Sequence, residues 1–219
     1  MSTSGATHSA APAPRDAALA PERAELAPED RSRADFYALL SRLFYAGPDR
    51  ALLAALAAAP PLGAEDANTA LAQSWNSLVA AADAADAESA AAEYDSVFVG
   101  TGKAEITPYA SHYLAHSAQD NVLVRLRAEL DALGLERWHG AAEYEDHISA
   151  LCEVMRHLIF FTDDVAVQKQ KSFFLAYVIL SYPGFCDAVA ASPNAGFYKH
   201  VARFAKAFLD LESESFEMT

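Results

Sequence analysis

From Arg31 to Tyr45 the chain sets Phe36, Leu39, Leu40, Leu43 and Phe44 at the i, i+3, i+4, i+7, i+8 spacing of one helix face. That period recurs almost to the C-terminus, and the apolar/polar alternation of a strand is nearly absent. Such a chain can bury its apolar stripes only by packing helix on helix. Asp49 is a fitting N-cap for a short helix carrying Leu52, Leu53 and Leu56, stopped by Pro60-Pro61. Leu71, Trp75, Leu78 and Val79 mark a third helix, and Tyr94, Val97 and Phe98 close a fourth that ends at Gly100. Leu123, Leu126, Leu130 and Leu133 form another stripe, with Gly134 placed to end it. Ile148, Leu151, Cys152, Met155, Leu158 and Ile159 line a long helix. Val167 to Tyr182 is apolar almost all round, as a central helix would be, and Pro183-Gly184 reads as its end. A last helix from about Asn194 puts Phe197, Val201, Phe204 and Phe208 on one face. No fixed-period repeat is visible. The expected fold is all-α, a single-domain multi-helix bundle.

Alanine makes up about a fifth of the 219 residues, so the 53% hydrophobic fraction reflects helix propensity more than a greasy core. Sixteen basic and 30 acidic residues give a formal charge of −14. That balance argues against nucleic-acid binding, which needs clustered Lys and Arg, and suits a partner carrying positive charge. Residues 1–28 are rich in Ala, Pro and Ser and lack an apolar run. They read as a disordered tail and not as a signal peptide. No stretch approaches the roughly twenty apolar residues of a membrane span. The expectation is a cytoplasmic protein with a helical domain over 29–212 and a short C-terminal tail, 213–219. Cys152 and Cys186 both lie in apolar helical patterns, which predicts buried free thiols; a disulfide between them is the alternative.

Complete catalytic motifs are missing. A di-iron site of the ferritin type needs two Glu-x-x-His pairs, and only Glu136 to His139 has that spacing. His112 and His116 stand at i and i+4, but without the glutamate and third ligand of a zincin. Cys152 sits on an apolar face, where a thiol is inert, and Ser111 has no glycine-flanked elbow. The GTG at Gly100 to Gly102 follows a helix and lacks the lysine of a phosphate loop. No catalytic residue, metal or cofactor is expected.

Two segments stand out instead. In EYDSVFVGTGKAEITPYASHYL, Glu93 to Leu114, a helix breaks at Gly100 and Gly102, crosses Pro108 and returns with aromatics and hydroxyls. In EYEDHISALCEVMRHLI, Glu143 to Ile159, Glu143, Glu145, Asp146 and His147 crowd the start of an apolar helix. The acids suit a helix N-terminus, and Glu143 or Glu145 is placed to cap it. A histidine there is less easily explained, unless Asp146 hydrogen-bonds its ring. Both segments place aromatics and acids at a loop–helix junction, which suits binding better than turnover.

Together these segments resemble the TorD/DmsD family, chaperones for molybdenum enzymes exported with twin-arginine signal peptides. One family block is a helix ending E-Y-x-x-L-F-x-G, a short Gly/Pro loop, then P-[YW]-x-S-x-Y. Glu93, Tyr94, Phe98, Gly100, Pro108, Tyr109, Ser111 and Tyr113 match it here. The other, E-P-x-D-H-[IL] opening a helix, is matched by Glu143, Asp146, His147 and Ile148. The resemblance extends from about Arg31 to Glu212. Tyr144 stands where the family usually has proline, and Val97 replaces a common leucine. The phrase DHISALCEVMRHLI most resembles members associated with formate dehydrogenases.

The resemblance implies a non-enzymatic chaperone, either monomeric or a domain-swapped dimer. Its partners would be the apo-form of a molybdenum-cofactor oxidoreductase and that client's twin-arginine signal peptide, held until cofactor insertion. The implied peptide site comprises Tyr94, Phe98, Gly100, Pro108, Tyr109, Ser111, Tyr113, Glu143, Glu145, Asp146 and His147. Glu143, Glu145 and Asp146 would take the guanidiniums, with Asp146 and His147 in an exposed first turn. The aromatics would form an apolar groove wall, with a flexible glycine hinge. Tyr94 and Phe98 fit groove or core equally well, because aromatics at helical spacing usually face inward. Two other readings remain: a binder of nucleotide or molybdenum cofactor, and a metal-dependent hydrolase using His112, His116, Asp146 and His147.

Overall fold

The structure is a computed structural model that describes residues 26–62, 68–100, 102–113, 122–135, 143–161 and 166–218. Most of the expected N-terminal tail therefore lies outside the described residues, as do Glu136, His139 and His116. Among the described residues there are nine α-helices and no strand. They are α1 (Pro28–Tyr45), α2 (Arg50–Ala57), α3 (Ala70–Ala84), α4 (Ala87–Tyr94), α5 (Val122–Ala132), α6 (Ile148–Ile159), α7 (Ala166–Phe173), α8 (Tyr182–Ala191) and α9 (Phe197–Met218). Two of them run on into a π-turn, α4 over Asp95–Val99 and α7 over Phe174–Val178. The all-α fold read from the periodicity is the fold observed.

Local chemistry sets several helix starts. Asp49, Thr69 and Asp86 each accept a backbone N–H from the first turn of α2, α3 and α4. α1 packs most extensively against α6, and α9 lies against α3 and α8. An aromatic cluster fills the junction: Phe98 is 5.1 Å from Tyr198 and 5.3 Å from Tyr94, and Phe44 is 5.0 Å from Phe185. A second cluster joins Phe36, Trp75, Phe204 and Phe208 where α1, α3 and α9 meet.

Two boundaries differ from the expected ones. Pro183-Gly184 does not end a helix but opens α8, with proline in the first turn, where its missing N–H costs nothing. The C-terminal segment 213–219 was expected to be a tail, yet α9 continues through Met218. One contact within the segment and one just before it anchor this end of α9. Phe216 is buried 5.2 Å from Phe174, and buried Glu212 accepts Arg33 Nε at 2.7 Å, Arg33 Nη2 at 2.9 Å and the Tyr37 hydroxyl at 3.0 Å. Arg33 also donates to Gln170 on α7 at 2.9 Å, so one buried network pins α1, α7 and α9 together. A buried carboxylate with this many donors is satisfied and resists removal. Cys152 and Cys186 are both buried and free, as the apolar patterns predict, and burial pushes both thiols far above their usual range.

Candidate functional site

The two sequence blocks meet as one unit. Pro108 to Ala110 runs antiparallel to Asp146 to Ile148, with Tyr109 bridged to His147. Ala110 N–H donates to the Asp146 carbonyl at 2.9 Å, and Ile148 N–H donates to the Pro108 carbonyl at 2.8 Å. The Asp146 carboxylate then accepts the backbone N–H of Ser111 at 3.1 Å. Asp146 thus holds the loop by main chain and side chain together, leaving few orphan polar groups in the turn.

Asp146 and His147 were expected in an exposed first turn; they are 2% and 1% exposed. The antiparallel pairing with Pro108 to Ala110 covers them, and sequence neighbours alone could not reveal that. The imidazole Nδ1 pairs with Ser149 and not with Asp146, whose carboxylate accepts the Ser111 N–H. His147 itself is the N-cap of α6, in place of the expected Glu143 or Glu145: Nδ1 accepts Ser149 N–H at 3.2 Å and pairs with the Ser149 hydroxyl at 2.7 Å. An acceptor Nδ1 requires the neutral ring with its proton on Nε2. Burial lowers the His147 pKa, opposed by the charges of Glu143 and Asp146.

Outside this buried pair lies the accessible face. Tyr109 stands edge-on to His147 at 5.2 Å and donates its hydroxyl to Glu143. Burial and that carboxylate raise the Tyr109 pKa, so the phenol stays a donor. Tyr144 is 55% exposed, with its ring 6.1 Å from Tyr109. Glu145 faces Arg127 of α5 at 3.0 Å. Tyr113, half-buried, donates to the Thr107 carbonyl at 2.9 Å and packs on Phe185 at 6.1 Å. Burial pushes its phenol up to about 12. The face therefore combines two tyrosines with two glutamates, a surface suited to a guanidinium followed by apolar groups.

Tyr94 and Phe98 belong to the core, 8% and 5% exposed. The Tyr94 hydroxyl donates to the carbonyls of Tyr45 at 2.7 Å and Phe44 at 3.2 Å, satisfying the C-terminal end of α1. Burial raises its pKa to about 12. Gly100 is no flexible hinge. Its φ is +64°, its N–H closes the π-turn onto Asp95 at 2.7 Å, and a Cβ there would overlap the Lys103 carbonyl oxygen. Ile106 N–H returns to the Val97 carbonyl at 2.9 Å, which shuts the loop. Glu105 adds an outer tie, accepting Ser192 and Asn194 at 2.7 Å each.

Two contributors were missed at the sequence level. Tyr144 registered only as a departure from the family's proline, although an exposed aromatic between two glutamates is itself a binding signal. Arg127 lies 18 residues from Glu145, with no local pattern to link them. Among the described residues no group of three or more His, Cys, Asp or Glu side chains converges to hold a metal. An open groove of about 470 Å³ lies elsewhere, between α3, α4 and the start of α9. Its alanine walls carry the carboxylates of Asp86 and Glu93, which repel phosphate.

The sequence profile of the family described as nitrate reductase delta subunit matches residues 64–210. No curated protein matches the chain. A solved structure named as a redox enzyme maturation protein from Archaeoglobus fulgidus is 22% identical. The alignment covers 83% of this chain and 93% of that one, with a TM-score of 0.49, too distant a likeness to bear on function.

Proposed function

The chain belongs to the nitrate reductase delta subunit family of cytoplasmic, non-catalytic maturation chaperones for molybdenum oxidoreductases, and from that premise we propose that it binds its client's twin-arginine leader. Membership implies a molybdoenzyme subunit as partner. The finer reading is that the chaperone holds the leader of the apo-enzyme and so delays export until the molybdenum cofactor is in place. A formate dehydrogenase is the client that the DHISALCEVMRHLI segment favours.

One observation carries this reading. The clamp between Pro108–Ser111 and Asp146–Ile148 sets Tyr109, Tyr144, Glu143 and Glu145 side by side. Planar guanidiniums pair bidentately with carboxylates and stack on tyrosine faces, so a paired-arginine leader meets both kinds of partner there. The acidic chain as a whole attracts such a peptide over longer range. In this reading Glu143, Glu145, Tyr109 and Tyr144 make contact. Asp146, His147, Pro108, Ser111 and Gly100 position them, Tyr113 supports the loop, and Tyr94 and Phe98 hold the core behind.

The test is binding of a synthetic leader peptide to the full chain, with its two arginines intact or replaced by alanine. Affinity should fall at least tenfold on replacement and should weaken as salt rises, since partly exposed charge pairs are screened. Equal binding of both peptides, independent of salt, would remove the acidic face from the reading.

A further inference from the structure

The carboxylate best placed for a leader arginine already holds one. Arg127 of α5 donates Nε to Glu145 Oε1 at 3.0 Å and Nη2 to Oε2 at 3.1 Å. This two-bond fork is the geometry by which an arginine reads a carboxylate. The Glu145 side chain is only 12% exposed, whereas that of Arg127 is 48% exposed. The seat is thus fixed in the protein, and its occupant reaches in from solvent. We propose that Arg127 is a built-in competitor: it occupies the guanidinium seat of Glu145 and must swing out before a client arginine can enter. This rests on the reading of Glu145 as a leader contact.

The exchange is chemically even. One guanidinium fork replaces another on the same two oxygens, so the pairing lost is matched by the pairing gained. An ion pair whose cationic partner is half in water is held weakly, which makes displacement accessible. The nearby exposed face of Tyr144, beside Tyr109, offers a second surface for the incoming planar cation. Selectivity follows from the competition. A lone lysine lacks the fork and displaces Arg127 poorly, whereas a leader with paired arginines brings a second cation to Glu143. The seat therefore stays shut against single, casual cations.

The experiment measures binding of a fluorescent peptide, two adjacent arginines followed by an apolar run, to the full chain and to four variants. Arg127→Met and Arg127→Lys should each tighten binding three- to tenfold. The lysine variant is decisive, because it keeps the positive charge while losing the fork, so its gain cannot come from net charge. Arg125→Met, an exposed neighbour on the same helix, should change affinity less than twofold. Glu145→Gln should weaken binding at least fivefold. Unchanged or weaker binding by Arg127→Lys and Arg127→Met, with normal melting curves, would overturn the proposal while leaving leader binding intact. No binding by the parent chain or any variant would instead overturn the leader reading, and this proposal with it.

Discussion

The Glu93 carboxylate accepts the backbone N–H of Tyr198 at 2.7 Å, across 105 residues of sequence. It also takes the N–H groups of Gly196 at 2.7 Å and Phe197 at 3.0 Å. Glu93 is therefore the N-terminal cap of α9, supplied from another helix and favoured by the α9 dipole. The adjacent Tyr94 does the converse for α1, and Tyr198 joins it by donating to the Leu43 carbonyl at 2.9 Å. One dipeptide at the end of α4 fastens the end of the first helix and the start of the last.

Replacing Glu93 should accordingly loosen the bundle. Glu93→Ala leaves three N–H groups without an acceptor and should cost about 1–3 kcal/mol. Glu93→Gln keeps an acceptor and should cost less. Urea denaturation of both variants checks this, and equal midpoints for parent and Glu93→Ala would discard the cap.

Gly100 and Gly102 both have positive φ, +64° and +100°, but only Gly100 is hemmed in. Gly100→Ala meets the Lys103 backbone as well as the left-handed penalty and should lose more than about 2 kcal/mol. Gly102→Ala has nothing within 4 Å and should lose only about 1 kcal/mol. Thermal melts of the two single variants rank them, and the reverse order would contradict the closed loop.

His147 gives stability a pH dependence. Its folded-state pKa is depressed, so near pH 6 the unfolded chain binds more protons than the native one. Stability is fully present above the unfolded value of about 6.5 and is lost as pH falls below it. Burial also depresses His157 and His200, so the His147 share must be isolated. His147→Asn keeps an N-cap acceptor without a titrating ring. Denaturation midpoints at pH 7.5 and 5.5 should fall further for the parent than for this variant. Parallel losses would place the effect elsewhere.

The α9 extension predicts that its end matters. Phe216→Ala should cost about 3 kcal/mol, because it empties the space against Phe174 and strips the ring over which Arg33 sits at 5.7 Å. Leu211→Ala, on the exposed side of the same helix, is the control and should change little. A melt that leaves Phe216→Ala at the parent's midpoint would return the segment to a tail.

The fold was legible because its signals are local. Stripes such as Phe197, Val201, Phe204 and Phe208 state the period, and Asp49 states a helix start. α8 stayed hidden because a Pro-Gly pair reads equally as a stop or a first turn, and only packing against α9 decides. At the site, the residue types were visible but their depth was not. Asp146 and His147 follow two glutamates, which suggests solvent, and are buried by a loop about 36 residues upstream. Glu93 likewise reads as an ordinary helical surface residue until its three distant N–H partners are known. The polar run at 213–219 masked the information carried by Phe216 alone.

The π-turn at Asp95–Val99 has an evolutionary consequence. A π-turn holds one residue more than the α-turn it replaces, the mark of a single insertion absorbed within a helix. Each residue of an α-helix turns the chain by about 100°. Deleting the exposed Ser96 would let the helix close regularly, yet it would swing everything beyond it by about that angle. Gly100 would leave its place above Lys103, and Pro108 to Ser111 would miss Asp146. Val97 and Phe98, both buried, would turn away from the core as well, so a relative shorter here by one residue would have to rebuild the packing behind the loop along with the loop itself.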